Sequence, residues 1–169
     1  MQKLIWGSLF LILFTNLATN AQNGDRDIDV RFGLGVSKFN AESDLLLLSE
    51  YELNAKLSDY FTLAPSILLH HSNHYDTDIT NFFQANLNAF GSPFQNNRQN
   101  DFRMGGGVSF YRLNRGGVYA THSAFGLNLI LENSYMVNER FFIGVKAFVQ
   151  PYLNKNINYS VLLKAGINL

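Results

Sequence analysis

The sequence contains no cysteine and only three prolines among its 169 residues. Without cysteine the fold cannot depend on disulfides, whichever compartment the protein occupies. Charged residues are also scarce, at 15% against about 25% in ordinary soluble domains. Their net charge is zero and the basic residues are scattered, which argues against a nucleic-acid partner. Aromatic residues are plentiful instead, at 14%, and this combination is typical of chains that contact a membrane.

A long apolar run occurs once, at the start of the chain. A short basic start is followed by a mostly apolar stretch and then by small residues up to Ala21. This order is typical of a secretory signal, so we predict a signal peptide over 1–21 and one exported domain over 22–169. No second run is long enough for a membrane helix. A closed β-barrel is therefore the remaining way for this chain to span a membrane.

Most of the remaining chain alternates between apolar and polar residues with a period of two, which indicates β-strands. The clearest case is 125–151, where two alternating arms flank the polar corner 137–140, as in a β-hairpin. Arms of about a dozen residues suit strands that cross a bilayer at a tilt. The same criterion predicts eight strands and hence an all-β, eight-stranded antiparallel up-and-down transmembrane barrel. The predicted strands cover 28–39, 45–58, 61–70, 78–90, 102–113, 125–136, 141–151 and 158–169.

Four further features of the sequence bear on this topology. With the amino end in the periplasm, the connections after the odd-numbered strands lie outside the cell, and the longer ones, at 71–77 and 114–123, fall there. The connector 91–101 is longer than an inner turn should be. Pro65 interrupts the third strand and predicts a bulge there. The glycine run at 105–107 lies inside a strand, so we expect it to allow curvature or close packing.

The polar side of the strands indicates which face meets lipid. It consists mainly of small and amide residues with isolated charges, too few for the surface of a soluble barrel. We therefore predict apolar residues facing lipid and a lumen filled by side chains, as the width of an eight-stranded barrel allows. Buried charges need partners, so we predict a charge network in the lumen. Its members are Arg31, Glu50, Glu52, Lys56, Arg103, Glu132, Lys146 and Lys164.

The leader, the eight amphipathic strands and the alternating apolar residues Ala165, Ile167 and Leu169 resemble the small outer-membrane β-barrel proteins of Gram-negative bacteria, such as the OmpA transmembrane domain and OmpX. The resemblance covers 28–169. It implies residence in the cell outer membrane as a monomer without a cofactor. The implied partners are outer-membrane lipid, lipopolysaccharide and the barrel-insertion machinery. The last residue of that group is typically aromatic, and here it is Leu169.

A polar segment after the third strand contains candidate metal ligands. His70, His71 and His74, with Asp76 and Asp78 nearby, are residue types that bind zinc or copper. The simpler interpretation is a polar loop rich in histidine, so no metal is predicted.

The same segment suggests an enzymatic alternative. His70-His71-Ser72-Asn73 is similar to the His-x-Ser-Asn run of the PagL type of lipid A deacylase, in which His70 would be the base and Ser72 the nucleophile. The acidic partner of that family falls at Gln84, which cannot act as a carboxylate does. Strand parity also turns these residues toward the lumen, away from a lipid substrate.

Other residues bear on partners. Arg112, Arg115 and His122 border an outer loop, where they are candidates for contact with lipopolysaccharide phosphates. The favoured interpretation is a non-catalytic barrel that acts as a membrane scaffold or presents extracellular loops for binding. The alternatives are a lipid A-modifying enzyme, a narrow pore and a soluble lipocalin-like barrel that binds a ligand.

Overall fold

The structure, a computed structural model, describes residues 28–40, 45–58, 60–71, 79–92, 100–115 and 121–169. Eight strands follow one another around a closed barrel, and all neighbouring pairs are antiparallel, including β1 with β8. The predicted eight-stranded up-and-down barrel is confirmed. The predicted signal peptide at 1–21 lies outside the described residues. The strands are β1 Ile28–Phe39, β2 Leu46–Ser58, β3 Phe61–His71, β4 Ile79–Gly91, β5 Asn100–Arg115, β6 Thr121–Met136, β7 Phe141–Pro151 and β8 Ile157–Asn168.

The barrel has two distinct ends. We call the end that carries Ile28, Leu169 and the turn 137–140 the turn end, and the opposite end, with the connections after β1, β3, β5 and β7, the loop end. At the turn end Asn138 Oδ1 accepts hydrogen bonds from the backbone N–H groups of Arg140 and Phe141, at 2.9 and 2.8 Å. None of the residues that the structure describes form a helix long and apolar enough to cross a membrane.

Burial alternates along the strands in the predicted sense. Val145 and Leu163 are 46% and 69% exposed on the outer surface, whereas Lys146 and Lys164 are only 1% and 3% exposed. At these positions the apolar side chains therefore face outward and the charged ones face the lumen. This arrangement is opposite to that of a soluble ligand-binding barrel, which keeps its apolar side inward.

The strands β5 and β6 are longer than the alternation predicts. Each has 16 residues, and much of 114–123 belongs to them, although the sequence suggests a loop there. Asn114 pairs with Thr121, and the Thr121 hydroxyl donates a hydrogen bond to Asn114 Oδ1 at 3.0 Å. Polar residues on both faces of this extension leave no apolar alternation, which is why the sequence pattern ends early.

The predicted bulge at Pro65 is wrong. Pairing of β3 with β2 is interrupted between Ser66 and Leu63, but the register is the same on either side of the gap. Proline removes a ladder donor without adding a residue, so a gap without a shift is the physical result. The register shift of this pair lies nearer the turn end, between Lys56 and Ser58.

Inward glycines make room for large inward side chains on the neighbouring strand. Phe90 pairs with Gly105, and Phe142 pairs with Gly166. A Cβ atom at Gly105 would lie 2.6 Å from the Phe90 ring, and one at Gly166 would lie 2.1 Å from the Phe142 ring. The lumen is thus filled because each ring lies across a position without a side chain. Close packing, one of the roles expected for the run 105–107, is what Gly105 provides.

Candidate functional site

The turn-end half of the lumen holds an ionic network around Glu132. Arg103 Nη2 lies 2.5 Å from Glu132 Oε1, which also accepts a hydrogen bond from Arg31. Lys164 Nζ lies 3.3 Å from the other carboxylate oxygen. Strands β1, β5 and β8 each supply a cation to one carboxylate of β6, so this residue links distant parts of the wall.

A second centre of the network lies on β2. Lys146 Nζ is 2.6 Å from Glu50 Oε1 and 2.5 Å from Glu52 Oε2. Lys164 Nζ lies 2.6 Å from Glu52 Oε1 and so joins the two centres. These four side chains are at most 3% exposed. Charges buried to this degree are tolerated because each faces opposite charges.

The network continues to the turn-end rim. Arg31 Nε lies 2.6 Å from Asp29 Oδ1, and Arg103 Nε lies 3.5 Å from Asp101 Oδ2. The two guanidinium groups also lie over aromatic rings, Arg31 at 4.3 Å from the Phe142 centroid and Arg103 at 4.7 Å from that of Phe90. The rings of Phe142 and Phe90, which lie opposite glycines, therefore stabilise the two guanidinium groups by cation–π contact. Of the predicted members, Lys56 is half-buried near the turn end of β2.

A layer of amides lies next to the ionic network toward the loop end. Gln150 Nε2 donates to Asn128 Oδ1 at 2.9 Å, and Asn158 Nδ2 donates to Gln150 Oε1 at 3.0 Å. Gln84 Nε2 donates to Asn86 Oδ1 at 2.6 Å. These side chains are buried and bond to one another, so the layer is polar but occupied.

An aromatic cluster closes the loop end of the lumen. It comprises Phe39, Phe82, Tyr111 and Tyr152, all at most 5% exposed. Ring centroids lie 5.5 Å apart for Phe39 and Phe82, and 4.4 Å apart for Tyr111 and Tyr152. Such distances are those of favourable edge-on or offset pairs.

The connection from β7 to β8 supplies part of this cluster. Tyr152, just after β7, donates a hydrogen bond to Gln84 Oε1 at 2.7 Å. Asn154 and Asn156 in the same connection donate to the Tyr111 hydroxyl at 2.6 and 3.1 Å. Burial raises the pKa of the Tyr152 hydroxyl well above its ordinary range, because the charged form would lose its hydration.

Comparisons with known proteins identify the architecture. No protein-family model and no curated protein matches this sequence. Among solved structures, Neisserial surface protein A (NspA) matches with a TM-score of 0.66 and 10% identity, over 85% of this chain and 97% of that one. The N-terminal barrel domain of Pseudomonas aeruginosa OprF matches at 0.65 and 16%, over 83% and 97%. Ail of Yersinia pestis, in complex with the heparin analogue sucrose octasulfate, matches at 0.63 and 11%, over 85% and 97%. The fold is that of the small outer-membrane barrels.

The structure describes only some of the candidate metal-binding and catalytic residues at 70–78. His70 is half-buried, and its Nδ1 atom lies 2.7 Å from the Leu47 carbonyl oxygen. Gln84 forms hydrogen bonds with Asn86 and Tyr152. Of the remaining candidates, His71 has only its backbone described. The others lie outside the described residues: Ser72, Asn73, His74, Asp76 and Asp78. Within the described ranges no group of three or more His, Cys, Asp or Glu is suited to hold a metal.

The basic residues beside the β5–β6 connection occupy different surroundings. Arg112 and His122 are exposed near the loop end, and the side chain of Arg115 lies outside the described set. Arg112 faces outward, as does Lys38 at the loop end of β1. Both outward cations therefore lie near the loop-end rim and away from the middle of the apolar outer surface.

The aromatic cluster is not predicted by the sequence pattern. The pattern predicts an inward face of small, amide and charged residues, although Phe39, Phe82 and Tyr111 occupy inward positions of the alternation. An aromatic residue at a position where the alternation predicts a polar one is the feature that indicates such a cluster. Whether these residues meet depends on the register between strands, which the sequence pattern does not give.

Proposed function

We propose that this protein is a small, non-catalytic outer-membrane β-barrel with a closed lumen, which acts as a scaffold and presents its loop end to a partner. The lumen carries this proposal. The ionic network, the amide layer and the aromatic cluster follow one another from the turn end to the loop end, and nearly all of their side chains are buried. An eight-stranded barrel filled in this way has no width left for a water path.

The outer surface supports a membrane location. Leu129 and Leu163 expose 64% and 69% of their surface, and similar apolar residues surround the barrel. Soluble monomers rarely expose apolar patches of this extent, whereas a transmembrane barrel requires them. We further propose that residues 1–21 direct export and that the loop end lies outside the cell.

Conductance in planar bilayers tests the closed lumen. The purified barrel should give no discrete current steps under conditions in which a large-pore porin inserts and conducts. Reproducible steps from the wild-type protein would instead favour the narrow pore. Fractionation and a heat-modifiability gel test the location, since a folded outer-membrane barrel migrates differently when it is not boiled.

The β5–β6 hairpin is the element best placed to meet a partner. Strand β7 pairs with β6 from Met136 only as far as Leu129, followed by the isolated bridge of Gly126 with Tyr152. The carbonyl oxygen of Phe125 still accepts a hydrogen bond from Leu153 N at 2.8 Å. Beyond that point the described residues include no strand on this side of β6.

The free edge has the chemistry of a strand acceptor. Thr121 and Ser123 share the parity of Phe125, so their backbone N–H and C=O groups point to the side where β7 has ended. Exposed edges of this kind pair with extended segments of other chains. We therefore propose that an extended polypeptide segment is the kind of partner this end would bind.

Mass spectrometry of lipid A tests the absence of catalysis. A host that expresses the wild-type protein should give the same lipid A profile as one that expresses His70→Ala. Loss of an acyl chain with the wild type, but not with the variant, would support the deacylase alternative.

A further inference from the structure

A groove crosses the outer wall of the barrel, on the face that the proposed function places in lipid. It has a volume of about 510 Å³ and lies between two rows of outward side chains. Cross-strand pairing defines the row nearer the turn end, because each member is the register partner of the next. That row consists of Val36, Val161, Ala147, Leu131 and Met104.

The second row lies two residues nearer the loop end. It begins at Lys38 on β1 and passes through Tyr159 and Val149 to Leu129 on β6. Between the rows, the groove is lined by residues whose side chains point into the barrel, such as Ser160 and Phe148, so their backbone forms its floor.

The groove runs obliquely with respect to the membrane. Its β1 end is at Lys38, which immediately precedes the last residue of that strand at the loop end. Its β5 end is at Met104, near the start of that strand at the turn end. Five strands spaced by about 4.8 Å give a length of roughly 19 Å. Half of a hydrocarbon core of about 30 Å is of similar size, so the groove can accommodate one acyl chain.

Charge distinguishes the two ends of the groove. Among the described strand residues, the charged side chains with outward parity are Lys38 and Arg112, both cations near the loop end. A lysine at this depth can extend its ammonium group to the headgroup level while its methylenes stay in the apolar region. The loop end of the groove therefore attracts a negative group, and the remainder attracts hydrocarbon.

We propose that this groove binds one acyl chain of a phosphate-bearing lipid of the outer leaflet, with the phosphate at Lys38 and the chain directed toward Met104. The inference rests on the proposed outer-membrane location. Ala147 is central because a small side chain there leaves the groove open between Leu131 and Val161.

Lipid retention on the folded barrel tests the proposal. The protein is folded in neutral detergent, mixed with synthetic diphosphoryl lipid A or with its dephosphorylated form, and analysed by native mass spectrometry. We expect one diphosphoryl lipid retained on the wild type, and at least tenfold less of the dephosphorylated form. Lys38→Gln and Ala147→Trp should each lower retention of the diphosphoryl form at least tenfold.

Matched controls separate the site from the general lipid surface. Arg112→Gln removes the other outward cation, and Ala85→Trp adds the same bulk to an outward position of β4, away from the groove. Both should retain lipid as the wild type does. If Ala147→Trp does not fold on a heat-modifiability gel, Val161→Trp replaces it.

Two results would overturn the inference: equal retention by Lys38→Gln and its control, or equal retention of the two lipid forms. Fractionation of the same wild-type protein distinguishes the levels of failure. If the protein resides in the outer membrane but shows no selective retention, only the proposed lipid site is wrong. A protein free in the periplasm would contradict the proposed function as well.

Discussion

Tyr152 lies edge-on to Tyr111 inside the loop end of the barrel, with ring centroids 4.4 Å apart and planes inclined by 67°. The first residue follows β7, and the second lies on β5, two strands away around the barrel. Their contact joins a surface connection to the interior.

Alkaline pH should destabilise the barrel through Tyr152. Burial raises the pKa of this hydroxyl above the ordinary value of about 10, so the neutral form is the stable one in the fold. The stabilisation is therefore complete below about pH 10 and is lost as the pH rises above that value. The transition temperature of the heat-modifiable band, measured at increasing pH, should fall less steeply in Tyr152→Phe. Tyr159→Phe, on the exposed face, should keep the wild-type profile; a Tyr152→Phe curve parallel to the wild type would contradict this origin.

Removal of the central carboxylate should destabilise the fold strongly. Glu132→Gln leaves the cations of Arg31, Arg103 and Lys164 without the charge that they share. Loss of one partner from a buried ion pair typically costs about 3–5 kcal/mol. Urea unfolding in lipid vesicles measures the change. Glu139→Gln in the exposed turn is the matched control, with an expected change within about 0.5 kcal/mol; equal effects of the two substitutions would show that the network contributes nothing.

Adjacent glycines on β5 should respond differently to alanine. At Gly105 a Cβ atom meets the Phe90 ring at 2.6 Å, so Gly105→Ala should cost about 1–3 kcal/mol through overpacking. At Gly106 the nearest atom to such a Cβ is the Asn128 carbonyl oxygen at 3.4 Å, so Gly106→Ala should be close to neutral. The same urea titration compares them. The double variant Gly105→Ala/Phe90→Leu should lose less unfolding free energy than the sum of the two single variants, because the two residues occupy the same space.

Amide exchange should reveal the free edge of β6. The N–H groups of Thr121 and Ser123 point to the side where the described residues include no paired strand, whereas those of His122 and Ala124 point to their register partners on β5. Hydrogen exchange followed by NMR in micelles should therefore alternate, fast at odd positions and slow at even ones. Strong protection at Ser123 would mean that another part of the chain covers this edge and would weaken the proposed partner surface.

The sequence predicts the architecture well because alternation has a simple physical meaning in a barrel. Period-two patterns such as that of β8 determine both the strand and the outward face, and parity alone separates Lys164 from Leu163. Strand ends are less predictable. The extension of β6 to Thr121 is polar on both faces, and its strand geometry comes from pairing with β5.

The lumen is only partly accessible from sequence. Parity places Glu52, Lys146 and Glu132 on one inner surface, but it does not give the stagger between strands that determines which carboxylate meets which cation. The aromatic cluster depends on the same information. Phe90 looks like an error in the alternation until the register places it opposite Gly105.

The pairing of β1 with β8 has a consequence for how the molecule can be cut and rejoined. Leu169 N donates a hydrogen bond to the Ile28 carbonyl oxygen at 2.8 Å, so the first residue of β1 and the residue that follows β8 are neighbours at one rim. A short linker can join them, and new ends can then be opened in the exposed corner between β6 and β7. Such a circular permutant keeps every strand pair, and its assembly would show whether the order of the strands along the chain matters to the finished cylinder.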